Sequence, residues 1–170
     1  GLEVYFGSDD GKVYGVYLNG NSIEGFPMTI SDNAILGSVV FSDLNNDSLI
    51  DMVIADDSGN IYAKSIEGQD LDSFPINYQF SFSSPPQIID YDLDNDLEII
   101  CGTAGDLVMI DVKNFGGNSS AYWSLYKGNY SRSGYHIQGS FGDACSGTTA
   151  GDINGDLIFN VLDVVAIVGF

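Results

Sequence analysis

The sequence predicts an all-β protein, and three observations carry that reading. The first is self-similarity. Asp43-Leu44-Asn45-Asn46-Asp47-Ser48-Leu49-Ile50-Asp51 is matched, 47 residues further on, by Asp90-Tyr91-Asp92-Leu93-Asp94-Asn95-Asp96-Leu97-Glu98. The second is the stretch after each acidic loop, a short apolar run, a Gly-containing turn and another short apolar run. β-Branched and aromatic residues bounded in this way by Gly, Asn and Asp read as paired strands. The third is the period, since units of about 40 to 50 residues with three or four short strands each are the pattern of β-propeller blades. A β-sandwich is the competing architecture, but it has no need of such regular repetition.

In chain order, the first unit holds Val4-Tyr5-Phe6, the turn Asp9-Asp10-Gly11-Lys12 and Val13-Tyr14-Gly15. Glu3 stands where Asp51 stands in the second unit, so the loop ahead of it is cut short. Gly25-Phe26-Pro27 precedes an inter-blade strand and recurs as Ser73-Phe74-Pro75. Ser38-Val39-Val40-Phe41 and Pro85-Pro86-Gln87-Ile88-Ile89 each run into an acidic loop. The second unit continues through Met52-Val53-Ile54, the turn Asp57-Ser58-Gly59-Asn60 and Ile61-Tyr62-Ala63. The third has Ile99-Ile100-Cys101, a shortened turn Ala104-Gly105-Asp106 and Leu107-Val108-Met109-Ile110. About two and a half to three repeats make an incomplete propeller, fewer than the about four to eight blades that close one. Open blade edges carry unpaired backbone groups, which predicts either a piece of a larger propeller or a homo-oligomer joined at those edges.

The blades account for residues 1–136. Residues 137–150, rich in Gly, Ser and Thr, read as a linker. Residues 151–170 form a third segment with an acidic loop of a different kind. There Asp152, Asn154, Asp156, Asn160 and Asp163 fall at positions 1, 3, 5, 9 and 12, with the Ile158 carbonyl at position 7. That is the arithmetic of an EF-hand calcium loop. Val161 to Val168 then predict a short helix with an apolar face.

Acidic residues number 24 against five basic ones, for a net charge of -19. No basic patch can be assembled from Lys12, Lys64, Lys113, Lys127 and Arg132, which argues against nucleic acid as a partner. No apolar run reaches the roughly 18 residues of a membrane span, so membrane insertion is not expected. Carboxylates this dense repel one another, and bound cations are the physical remedy. Cys101 and Cys145 do not make a disulfide framework and are expected as unpaired thiols. His136 is the one histidine, so no histidine-based triad can be built, and the dense carboxylate pairs are already used by the loops. An enzyme is not expected.

In the repeated loops oxygen ligands fall at every second position. Asp90, Asp92, Asp94 and Glu98 stand at positions 1, 3, 5 and 9, with the Asp96 carbonyl at position 7. Asp43, Asn45, Asp47 and Asp51 do the same in the earlier loop, with the Leu49 carbonyl at position 7. A hard cation such as Ca2+ takes about six to eight oxygens, and carboxylates alternating with backbone carbonyls supply them. Position 6 of such a loop calls for a left-handed backbone. Asn95 tolerates that better than Ser48 does, so the later loop is expected to bind more readily.

The acidic loop followed by Ile99-Ile100-Cys101-Gly102 resembles the FG-GAP/VCBS type of β-propeller repeat, as in the calcium-bearing blades of integrin alpha subunits. Gly25-Phe26-Pro27 is similar to the segment before the inter-blade strand in bacterial secreted members. Trp123-Ser124-Leu125-Tyr126-Lys127-Gly128-Asn129-Tyr130-Ser131-Arg132-Ser133-Gly134-Tyr135 resembles the stretch that ends such propellers. Residues 151–170 look like the first half of a type I dockerin, with Asp163 where an EF-hand usually has Glu. Leu157 departs from the pattern at position 6, where Gly is usual, and the chain stops at Phe170 before a second calcium loop; both count against cohesin binding. The resemblance implies a calcium-binding, non-enzymatic repeat module of a secreted or cell-surface bacterial protein, with an unknown protein or glycan ligand and a role in adhesion. The alternative is the non-catalytic C-terminal part of a dockerin-bearing, polysaccharide-degrading enzyme.

Overall fold

The structure, a computed structural model, describes residues 3–35, 37–113, 116–119, 122–128 and 132. Ten strands arise where the apolar runs lie. They are β1 (Glu3–Gly7), β2 (Lys12–Tyr17), β3 (Met28–Thr29), β4 (Val40–Ser42), β5 (Asp51–Ala55), β6 (Asn60–Ser65), β7 (Ile76–Asn77), β8 (Gln87–Ile89), β9 (Leu97–Gly102) and β10 (Leu107–Val112). They form three antiparallel sheets, β1-β2-β3, β4-β5-β6-β7 and β8-β9-β10. Among the described residues there is no α-helix, only a 3-10 turn at Tyr126–Gly128. The helix expected after Asn160, the Asp152 loop and the 137–150 linker lie outside the described residues.

The three sheets are three settings of one plan. Strands β1, β5 and β9 are equivalent and each pairs with the strand after the turn, β2, β6 and β10. In the second and third units the chain turns on a side-chain acceptor just past the first of these strands. In the middle sheet this is Asp56, which takes hydrogen bonds from Ser58 N and Asn60 N and from the Ser31, Asn60 and Tyr62 side chains. Burial raises its affinity for protons, but these donors outweigh burial and hold its pKa below the usual carboxylate range. Thr103 plays the same part in the third sheet, accepting from the backbone N–H groups of Asp106 and Gly105. The repeated Phe-Pro pairs, Phe26-Pro27 and Phe74-Pro75, are both cis.

Strand alternation gives the middle sheet two apolar faces. Met52, Ile54, Phe41 and Tyr62 pack against Tyr5, Val13 and Phe26 of the first unit. Val40, Val53, Ala55, Ile61 and Ala63 pack against Ile88, Ile99 and Cys101 of the third. This explains why β5 is buried at every residue while β1 and β10 are half exposed. Cys101 is buried and unpaired, as the sequence led us to expect, and burial pushes its thiol up to about 11.

Candidate metal centre

Each acidic loop hands the chain from the first strand of its sheet to the second. Asp43–Ile50 joins β4 to β5, and Asp90–Asp96 joins β8 to β9. Both are closed by one hydrogen bond across their necks. The Leu44 N–H donates to Asp51 Oδ2 at 2.9 Å, and the Tyr91 N–H donates to Glu98 Oε2. Position 2 is thus tied to position 9 in each. A further bond tightens each turn, from Leu49 N to Asp47 Oδ1 and from Asp96 N to Asp94 Oδ1. These backbone donors are what acidic side chains at alternate positions can satisfy in so short a loop.

The loops also share a backbone requirement. Ser48 and Asn95, at position 6, have φ of 67° and 73°. Position 4 is left-handed as well, Asn46 at 59° and Leu93 at 65°, which the sequence did not suggest for a leucine. Two left-handed residues curl each loop, and in the later one the carboxylate oxygens converge.

In the later loop the carboxylates of Asp92, Asp94, Asp96 and Glu98 lie within 4.8 Å of one another. The cluster grades from exposed to buried, with Asp92 and Asp94 in solvent and Asp96 and Glu98 covered, and it can hold a metal ion. Asp96 enters through its side chain, where the spacing assigned it a carbonyl. Asp90 is outside this group of four, but its Oδ1 is buried without a hydrogen-bond partner. So are Asp96 Oδ1 and Glu98 Oε1. The Asp96 carboxyl, sharing a hydrogen bond with Asp94, has its pKa raised, and Asp94, which also accepts from the Asp96 N–H, has its pKa lowered. Lys113, which no motif singled out, stands beside the cluster. Its Nζ is 3.6 Å from Asp96 Oδ2, 3.8 Å from Asp94 Oδ2 and closer still to Asp111, and these carboxylates raise its pKa.

The earlier loop is arranged differently. Both Asp43 oxygens accept loop N–H groups, from Asp47 at 3.1 Å and Ser48 at 3.0 Å. Asn45 Nδ2 donates to Asp47 Oδ2 at 2.9 Å, and both residues face solvent. Asp51 is fully buried, its Oδ2 bonded to Leu44 N and its Oδ1 without a partner. Burial pushes Asp51 up to about 6, with Asp47 and Asp43 adding like-charge repulsion. Leu49, assigned by its carbonyl, has an exposed side chain as that role allows. Residues 116–119 brace both loops: the Gly116 N–H donates to Asn95 O at 2.7 Å, and Asn118 exchanges backbone bonds with Asp43.

Asp152, Asn154, Asp156, Ile158, Asn160 and Asp163 lie outside the described residues. No family model matches the chain, and no curated protein matches it.

Proposed function

We propose that the chain is a calcium-binding, non-enzymatic repeat module, part of a β-propeller of the FG-GAP/VCBS type, through which a secreted or cell-surface protein binds a protein or glycan. One observation carries the metal reading. Position 9 of both loops holds a buried carboxylate with one oxygen on a backbone N–H and the other without a donor. A buried carboxylate oxygen left without a partner costs free energy comparable to a lost hydrogen bond or more. A divalent cation removes that cost at both loops at once.

The donor set is oxygen throughout, which suits Ca2+ or Mg2+ and not the softer transition metals. Loops mixing carboxylates and carbonyls in irregular array favour Ca2+, which accepts about six to eight ligands, over Mg2+, which demands near-octahedral geometry. Bound Ca2+ would neutralise adjacent carboxylates and fix each loop to the strand it feeds. Asp92, Asp94, Asp96 and Glu98, with Asp90, would hold it in one loop, and Asp43, Asn45, Asp47 and Asp51 in the other. With their carboxylates committed this way, the two loops offer no acid–base pair, which supports a non-enzymatic reading.

Thermal unfolding with Ca2+ and with chelator tests it. Ligand at about 100 times its Kd adds about 2.7 kcal/mol per site, which raises the melting temperature by several degrees. A melting temperature indifferent to both additions rejects the reading.

A further inference from the structure

The three sheets are stacked in one sense. From the middle sheet, Val53, Ala55, Ile61 and Ala63 point to the third sheet, and Met52, Ile54 and Tyr62 to the first. Strand pairing sets the equivalents at the two ends. Ala55 pairs with Ile61 and Val53 with Ala63, as Gly102 pairs with Leu107 and Ile100 with Met109. Leu107 and Met109 therefore occupy the places of Ile61 and Ala63. Those two are wholly buried, whereas Leu107 is 75% and Met109 53% exposed. At the other end the pairs Val4–Val16 and Phe6–Tyr14 occupy the places of Met52–Lys64 and Ile54–Tyr62. Met52 and Ile54 are wholly buried, whereas Val4 is 45% and Phe6 44% exposed, with Phe6 stacked on Tyr14. The stack thus ends in two apolar faces that are not alike. They are opposite halves of the joint that the chain makes twice inside itself.

We infer that the outer face of the third sheet, around Leu107 and Met109, binds the outer face of the first sheet, around Val4 and Phe6, on a second copy of this chain. The occupant is read from the interior. Val53 and Ala63 are covered by a sheet that turns its equivalent of the Val4–Phe6 face towards them, and among the described residues one such face, on the first sheet, is left over. The contact is head-to-tail, so a patch on one copy meets a different patch on the next. It joins sheet faces and is separate from backbone pairing at open strand edges. It also rests on no metal. The net charge of -19 on each copy opposes it, so screening by salt strengthens it.

Sedimentation of the full chain over a range of concentrations tests this, together with Phe6→Lys and Met109→Lys. The wild-type mass is expected to rise with concentration, more so at higher salt. Each variant alone is expected to stay monomeric, because one has lost its tail face and the other its head face. An equimolar mixture of the two is expected to recover a one-to-one dimer and nothing larger, since one intact joint remains. Val4→Ser and Leu107→Ser, which remove apolar area without adding charge, repeat the pattern should a lysine disturb folding. A wild-type chain that stays monomeric throughout overturns the inference. So does a single variant that still self-associates, which means edge pairing or a like-to-like contact. The calcium response of the melt is read separately, so either proposal can fail alone.

Discussion

Asp51 and Glu98 are the residues on which the chemistry turns, because each is buried with one oxygen engaged and one free of donors. Glu98→Gln keeps an acceptor for the Tyr91 N–H while removing the charge. We expect its melting temperature in chelator to equal or exceed wild type, and its gain on adding Ca2+ to shrink to what the Asp43 loop supplies. A variant that melts lower in chelator yet keeps the full calcium gain would assign Glu98 to packing alone. Leu93 offers a second test. It is 81% exposed and held at φ 65°, so its side chain gives little packing in return for backbone strain. Leu93→Asn places there what the other loop has in Asn46, and should stabilise the protein by about 1 kcal/mol. Denaturant unfolding checks this: a midpoint unchanged or lowered refutes the strain account.

At the scale of the loop, burial and proton affinity work together. Asp51 in the folded chain holds its proton up to about pH 6, above the ordinary value of 3.8. Asp96 is shifted in the same direction. Between those values the folded state binds protons that the unfolded chain has released, so stability falls as pH rises through the window. In chelator, the melting temperature should therefore increase on going from pH 7 to pH 5. With Ca2+ the sign reverses, because the ion holds the carboxylates ionised and protonation expels it. Parallel trends in the two conditions would mean that the loops do not couple protons to metal. The turns show a contrasting solution to the same problem. Asp56 is as buried as Asp51, but its backbone and side-chain donors satisfy it and hold its pKa down.

For the molecule as a whole, the stack of three sheets belongs to an 18.2 kDa chain with a charge of -19. Repulsion among these carboxylates opposes the compact state and is screened by salt. Raising ionic strength in chelator should raise the melting temperature, and the gain should be smaller once Ca2+ is bound. An equal gain in both would show that the destabilising charges lie elsewhere than in the loops. The stack also explains the gradient of burial. The middle sheet is covered on both faces and supplies β5, buried at every residue, while the flanking sheets are each covered on one.

Within the described residues much that is local was legible in the order of the residues, the left-handed Leu93 excepted. Strand positions, the repeat and the alternate spacing of oxygens in each loop come from side-chain periodicity and turn chemistry, and the strands formed where those signals placed them. The need for a left-handed residue at Ser48 and Asn95 was legible for the same reason. Contacts between residues remote in sequence exist only in the folded molecule, and they settled the rest. Asp96 joins the cluster by its carboxylate and has Lys113 beside it, and Gly116 and Asn118 clamp the two loops from elsewhere in the chain. Which oxygens are buried without donors, and which apolar faces stay open, is set by which sheet lies over which. Local spacing records where a ligand can be placed, but desolvation is a property of everything packed around it.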